Sequence, residues 1–488
     1  MKLIFIWFGY FGLTSLLFAT QALYGVLAAN DAPKIDRQHR VCTKDTAAAI
    51  KRIIDRPHLR RSHWGIEVQT EAGETLYRHN GKRFFIPASS VKLLTTAALL
   101  SAFGAEYRLT TPIFAVGNVP NLTSLRLKGQ GDPSITTKKL KQIVRQLQAL
   151  EVKRIEKLII DDGYFNSPAI NPTWEWLDVH SYFATAVNST ILNQNTATLT
   201  LLPQKLGQPI KFYWNDLIAS RQWQIINQGI TGEADIPYNI KIDGDLGKPL
   251  LRIKGELGIN ESADIWNMAI VDPANYFLES LRLYLTQAGI TVNRGIVVNN
   301  DYEDKSERKL LAISSPSIAK LIAEINQQSN NLYAEALAKV LAQKLNRDEA
   351  IASIALNLSK LGIDAEDYVL VDASGLSRQN LITPVTIVET LNIMLTSQFN
   401  SEIYRQSLAV AGISGTLQHR FNDSSIRGNF WGKTGTLTGI GALSGYLYTH
   451  DDLKLIVSII VNNSDLSNKQ IRQEIDKVIT VLSHVSQC

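Results

Sequence analysis

Three short stretches carry side chains whose types and spacing could make and break an acyl bond. In IPASSVKLLTTAALL, residues 86–100, Ser89 stands three positions before Lys92 at the mouth of an apolar run. Residues i and i+3 share a helix face, so the lysine amine can reach the serine hydroxyl. Burial disfavours the ammonium form, which makes Lys92 a candidate neutral base for a Ser89 nucleophile. The positive end of the helix dipole favours an oxyanion at the same place. Taken alone, the pair reads equally as a helix-capping serine beside a lysine that packs its stem and keeps its amine in water. The same spacing recurs at Ser306/Lys309, inside the charged EDKSERK, and at Ser317/Lys320, where an amphipathic helix opens. Only Ser89 follows IPA and precedes a strongly apolar helix.

The second stretch, QQSNNLYAEAL, supplies Ser329-x-Asn331, and the third, WGKTGTL, supplies Lys433-Thr434-Gly435 followed by Thr436. Each has a plain structural reading, as a polar helix start and as an edge strand with a turn. Lys-Thr-Gly is the more specific, because a glycine inside a strand lets another backbone or a ligand come close.

The elements that must position these groups come from both ends of the chain. Residues 43–55 read as a helix, and WGIEVQT and ETLYRHN alternate around EAG as a hairpin. At the other end lie three strands, FWGKTGTLT, ALSGYLYT and LKLIVSIIV, and a helix near 467–485. Between about 106 and 265 short strands dominate (NLTSLRLKG, KLIIDDGYF, TATLTLLPQ, PIKFYW). One helix there sets Leu140, Ile143, Val144, Leu147 and Leu150 on one face. Long helices return from DPANYFLESLRLYLTQAGI onward. The pattern predicts an α+β fold: an antiparallel sheet flanked by helices, discontinuous over 30–105 and 266–488, with a β-rich insert at 106–265.

At 488 residues the chain exceeds what one core usually holds. Its formal charge of +5 is small and spread out, which argues against nucleic acid as a partner. No His/Cys cluster has metal-ligand spacing, so neither a metal nor another cofactor is expected. The eight histidines sit in ordinary contexts and GISGT is not a nucleophile elbow, which argues against Ser-His-Asp chemistry. After Lys2 no charge appears before Asp31, and an apolar run fills the interval. This reads as an export signal over 1–29, either cleaved or kept as an N-terminal anchor, the only expected membrane contact. The bulk of the chain is then expected in the periplasm or cell envelope.

Ser-x-x-Lys, Ser-x-Asn and Lys-Thr-Gly in this order form the signature of penicillin-binding proteins and class A β-lactamases. With LKGQGDPSIT, LIIDDGYF, VDASGLSRQNLITP and GISGTLQHRF, the chain resembles the D-alanyl-D-alanine carboxypeptidase/endopeptidases of the class C low-molecular-mass penicillin-binding proteins, from about residue 45 onward. The resemblance implies a transpeptidase-like domain with a large insert between the first two motifs. It also implies peptidoglycan stem peptides as substrate and β-lactams as covalent inhibitors. Ser89 is then the nucleophile, Lys92 its base, Ser329 a proton relay and Asn331 a substrate-positioning group. Lys433, with Thr434, Gly435 and Thr436, binds the substrate carboxylate, and the N–H groups of Ser89 and Thr436 form the oxyanion hole. A serine β-lactamase and a non-catalytic peptidoglycan-binding protein are the alternatives. In that fold the first and last helices lie side by side, which with an oxidising compartment implies a Cys42–Cys488 disulfide. The alternative is a frayed Cys488 and a lone Cys42 thiol.

Overall fold

The strand Lys454–Asn462, KLIVSIIVN, is apolar on both faces, and both faces are covered. Leu455, Val457, Ile459 and Val461 point into one core, and Ile456 and Ile460 into another. Continuous rather than alternating hydrophobicity is what a strand between two helical layers requires. The computed structural model describes residues 40–245, 247–299, 304–398, 400–422 and 424–488. The expected export segment, 1–29, lies outside the described residues.

Around that strand the sheet runs, in spatial order, Ala409–Val410, Phe430–Leu437, Ile440–Tyr448, Lys454–Asn462, His63–Thr70 and Thr75–His79. Every neighbouring pair is antiparallel. Ser444 and Ser458 sit opposite each other in the buried centre and satisfy each other at 3.0 Å. One face is covered by the helices Thr46–Ile54 and Asn468–Ser483, through Ile50, Ile53, Ile475 and Ile479. Ser467 and Gln470 cap the second of these reciprocally. The two ends of the stretch 41–488 meet beside these helices: Val41–Cys42 pairs in parallel with Val485–Ser486, and Cys42 is bonded to Cys488 with Cα atoms 5.4 Å apart.

The other face carries the helices Val91–Phe103, Ile318–Gln327, Asn331–Lys344 and Pro384–Thr396. Val91–Phe103 is buried everywhere except at Ser101 and Ala102, because it is apolar all round rather than along one stripe.

The chain between these parts builds a second, five-stranded sheet in the order Thr291–Val298, Arg154–Asp161, Asn121–Lys128, Thr110–Asn118 and Arg308–Ser314. The helices Thr137–Ala149 and Pro273–Gln287 pack on it through Leu140, Leu147, Phe277 and Leu281. The pairing therefore carries this layer to Ser314, past the expected return at 266. An amphipathic pattern shows that Pro273–Gln287 buries a face, not which sheet receives it. Leu150 caps its helix and is 40% exposed, so the buried stripe ends at Leu147 rather than at the expected Leu150. Two three-stranded sheets share a smaller core of Leu199, Leu201, Leu251 and Ile253.

Candidate active site

Ser89 sits in a tight turn, Ala88–Ser90, that feeds directly into the helix Val91–Phe103. Ala88 adopts a left-handed φ of 47°, strained for a residue with a Cβ. Two glycines let the surrounding backbone close on that turn. A Cβ at Gly375 would lie 1.9 Å from the Ala88 oxygen, and Gly375 has a φ of 80°. A Cβ at Gly435 would lie 2.8 Å from the Pro87 oxygen. The glycine of Lys-Thr-Gly thus brings its strand against the serine turn.

Lys92 follows one helical turn behind Ser89 and is fully buried. Its Nζ lies 3.0 Å from Ser89 Oγ, 2.6 Å from Asn331 Oδ1 and 2.5 Å from the Ser374 carbonyl. Burial lowers its pKa to about 7, against the opposing pull of the Asp372 and Glu335 charges. A neutral amine has two N–H bonds. The Asn331 and Ser374 oxygens can only accept, so they take both, and the nitrogen lone pair is left facing the Ser89 hydroxyl.

The second motif enters across the cleft. Ser329 has a left-handed φ of 57°, and Asn331 opens the helix Asn331–Lys344. Asn330 caps that helix, its side chain accepting from the Tyr333 N–H, which explains a polar residue between the two motif positions. The Lys433 amine donates to Ser329 Oγ at 2.8 Å and to the Thr434 carbonyl at 2.7 Å. It is fully buried, and desolvation, with the Lys92 charge nearby, holds it well below the usual lysine range. Thr434 Oγ1 donates to Thr416 Oγ1 at 2.8 Å. Ser89, Ser329, Asn331 and Thr436 line one cleft of about 980 Å³, with Glu175, Tyr182 and Arg378 further along its walls.

The turn 372–377, within VDASGLSRQNLITP, belongs to this site, and the family resemblance marks the stretch without assigning it a role. Its contribution to Lys92 is a backbone carbonyl, which no side-chain type announces. The buried Asp372 shapes it, accepting from the N–H groups of Gly375 and Ser377, both at 2.6 Å, and from Asn380 Nδ2 at 2.8 Å. Glu335, one turn along the Asn331 helix, accepts from the Ala373 N–H at 2.9 Å. Burial and the Asp372 charge push its carboxyl up to about 8. Among the described residues no group of acidic, histidine or cysteine side chains is placed to hold a metal.

The profile of the D-Ala-D-Ala carboxypeptidase 3 (S13) family matches residues 46–482, a span that includes all three motifs. The chain belongs to the S13 family. This S13 protein is a serine-type D-Ala-D-Ala carboxypeptidase with a penicillin-binding-protein fold. It is 29% identical over 422 residues to a D-alanyl-D-alanine carboxypeptidase of an Actinomadura strain, covering 82% of this chain and 77% of that one. It is 27% identical over 464 residues to penicillin-sensitive carboxypeptidase A of Dictyostelium discoideum, covering 86% and 87%. Among solved structures, penicillin-binding protein 4 of Haemophilus influenzae superposes with a TM-score of 0.77 at 20% identity, over 89% of this chain and 98% of that one.

Proposed function

We propose that the S13 protein releases the terminal D-alanine of peptidoglycan stem peptides through an acyl-enzyme on Ser89, with Lys92 as the base. Ser89 Oγ attacks the carbonyl carbon of the penultimate D-alanine while its proton passes to the Lys92 lone pair. The N–H groups of Ser89 and Thr436 stabilise the oxyanion, and the proton taken up by Lys92 is relayed through the Ser329 hydroxyl to the departing amine. Lys433, with Thr434, Gly435 and Thr436, receives the substrate's terminal carboxylate, and Asn331 positions the peptide. Water then hydrolyses the ester and returns the serine. The observation that carries this reading is the three-point contact of a buried Lys92 amine with Ser89, Asn331 and Ser374.

A β-lactam presents the same carboxylate and carbonyl but keeps its leaving group tethered, so it acylates Ser89 and departs slowly. The Dictyostelium relative is named for sensitivity to penicillin, which supports this inhibitor class. Cross-linked stem peptides offer the same D,D bond and are substrates for the endopeptidase mode. The work is done in the cell envelope, on the periplasmic side. Turnover of a D-Ala-D-Ala tripeptide is measured against turnover of benzylpenicillin. Fast alanine release with a long-lived penicilloyl adduct is expected, absent in Ser89→Ala. Penicillin hydrolysis faster than peptide hydrolysis assigns a β-lactamase instead, and turnover of neither an inert binding protein.

A further inference from the structure

Both oxygens that receive the Lys92 N–H bonds are oriented by one segment of the inserted region. The Asn331 amide donates through Nδ2 to the Phe183 carbonyl at 2.7 Å. That carbonyl only accepts, so it holds the NH₂ end and turns Oδ1 toward Lys92. A flipped amide would set N–H donors against the amine and open its lone pair to the wrong partner.

The second oxygen, the Ser374 carbonyl, is placed by the turn 372–377, and that turn is gripped from three directions. Thr95 of the serine helix donates to the Ala373 carbonyl at 2.7 Å. Glu335 accepts from the Ala373 N–H. From the insert, the Trp174 indole donates to Asp372 Oδ2 at 2.9 Å, adding a buried donor to a carboxylate that already organises the turn. The insert segment is itself anchored. Trp174, Ala184, Val187 and Ile191 pack against Leu332, Ala336 and Leu376, and Lys339 donates to the carbonyls of Pro168 and Val187 at 2.8 and 3.0 Å. A satisfied buried network of this kind fixes one arrangement, because each broken bond strands a polar group in a low dielectric.

We infer that the insert positions the catalytic lysine: Trp174, through Asp372 and the Ser374 carbonyl, and the Phe183 carbonyl, through Asn331, set the two acceptors that keep the Lys92 lone pair on Ser89. This rests on the reading of Lys92 as the base. The insert is then part of the acylation machinery and not only a substrate-shaping wall.

The test uses the full chain with Trp174→Phe, which keeps an aromatic ring and loses the N–H. A second variant carries benzothienylalanine at position 174, the same shape with sulfur in place of N–H, so a packing defect is separated from a lost hydrogen bond. Acylation by a chromogenic cephalosporin is followed by stopped flow, giving the limiting rate and the half-saturating concentration separately, beside the melting temperature. Both variants are expected to lose about ten-fold or more in limiting rate, the scale of a small misplacement of a reacting group. The half-saturating concentration and the melting temperature of the benzothienyl variant stay unchanged. In an Asp372→Asn background, Trp174→Phe is expected to cost less than it does in the wild type. A wild-type limiting rate in the benzothienyl variant, a loss confined to half-saturation or melting, or losses that add, overturns the inference. Lys92→Arg run alongside separates the two claims. If it acylates at the wild-type rate, the base assignment fails. If it is slow while the Trp174 variants are fast, only the positioning role fails.

Discussion

At Lys92, the proposed base, a cation inside an apolar helix is fully buried and held by Ser89, Asn331 and Ser374. Its burial lowers the amine to about 7, so near neutral pH a large fraction carries a free lone pair. The base must be neutral to accept the serine proton, so acylation is predicted to rise with pH through about 7 and level off above it. A rate that falls with pH over that interval would point to a protonated group instead. Lys92→Arg keeps the charge but not the lone pair, since guanidinium stays protonated. The expected loss in acylation rate is about 10²-fold or more, the usual scale of a positioned base. Rapid-quench kinetics with benzylpenicillin measures it. At this scale the convergence of the motifs was legible wherever it rides on a side-chain type: Lys92 meets Ser89 and Asn331, and Lys433 meets Ser329. Asp372 and Glu335 were not legible, because they act on backbone groups and their type is shared with many solvated carboxylates.

Among the elements, the tight contact between the serine turn and the turn 372–377 is the most exacting. Gly375 meets the Ala88 carbonyl where no Cβ fits, at a φ of 80°. Gly375→Ala combines a steric clash with a left-handed backbone that itself costs about 1–2 kcal/mol in a residue with a Cβ. The expected outcome is a lower melting temperature together with slower acylation, since the displaced turn carries the Ser374 carbonyl. A calorimetric scan and the same penicillin kinetics check it, and an unchanged rate would detach this turn from the site. Strands and helices of the main sheet were readable because their residues are buried on known periodicities, as in LKLIVSIIV and the all-apolar helix after Ser89. The extent of the second layer was not. Thr291–Val298 and Arg308–Ser314 join it by pairing with strands more than a hundred residues earlier, and local pattern does not encode a distant partner.

For the whole molecule, the Cys42–Cys488 bond closes a sequence separation of 446 residues and, among the described residues, ties the first strand to the last. Chain-entropy bookkeeping for so long a loop gives an upper value of about 6 kcal/mol. Cys42→Ser with Cys488→Ser is predicted to lower the melting temperature under oxidising conditions while leaving the acylation rate unchanged, because neither sulfur contacts a motif residue. Melting of wild type with and without reductant, beside the double variant, checks it. The architecture as a whole follows one logic: a sheet from strands on either side of the insert holds Lys-Thr-Gly against the serine turn, and the intervening chain returns to orient the lysine.

The most direct test of the account is the site of covalent modification. Folded protein is treated with benzylpenicillin, digested with trypsin, and the adduct located by fragmentation within the peptide 84–92, FFIPASSVK. One penicilloyl group is predicted, on Ser89, and none on the adjacent Ser90, which is fully buried. An adduct on Ser90 or on another peptide, or none in folded protein, would contradict it.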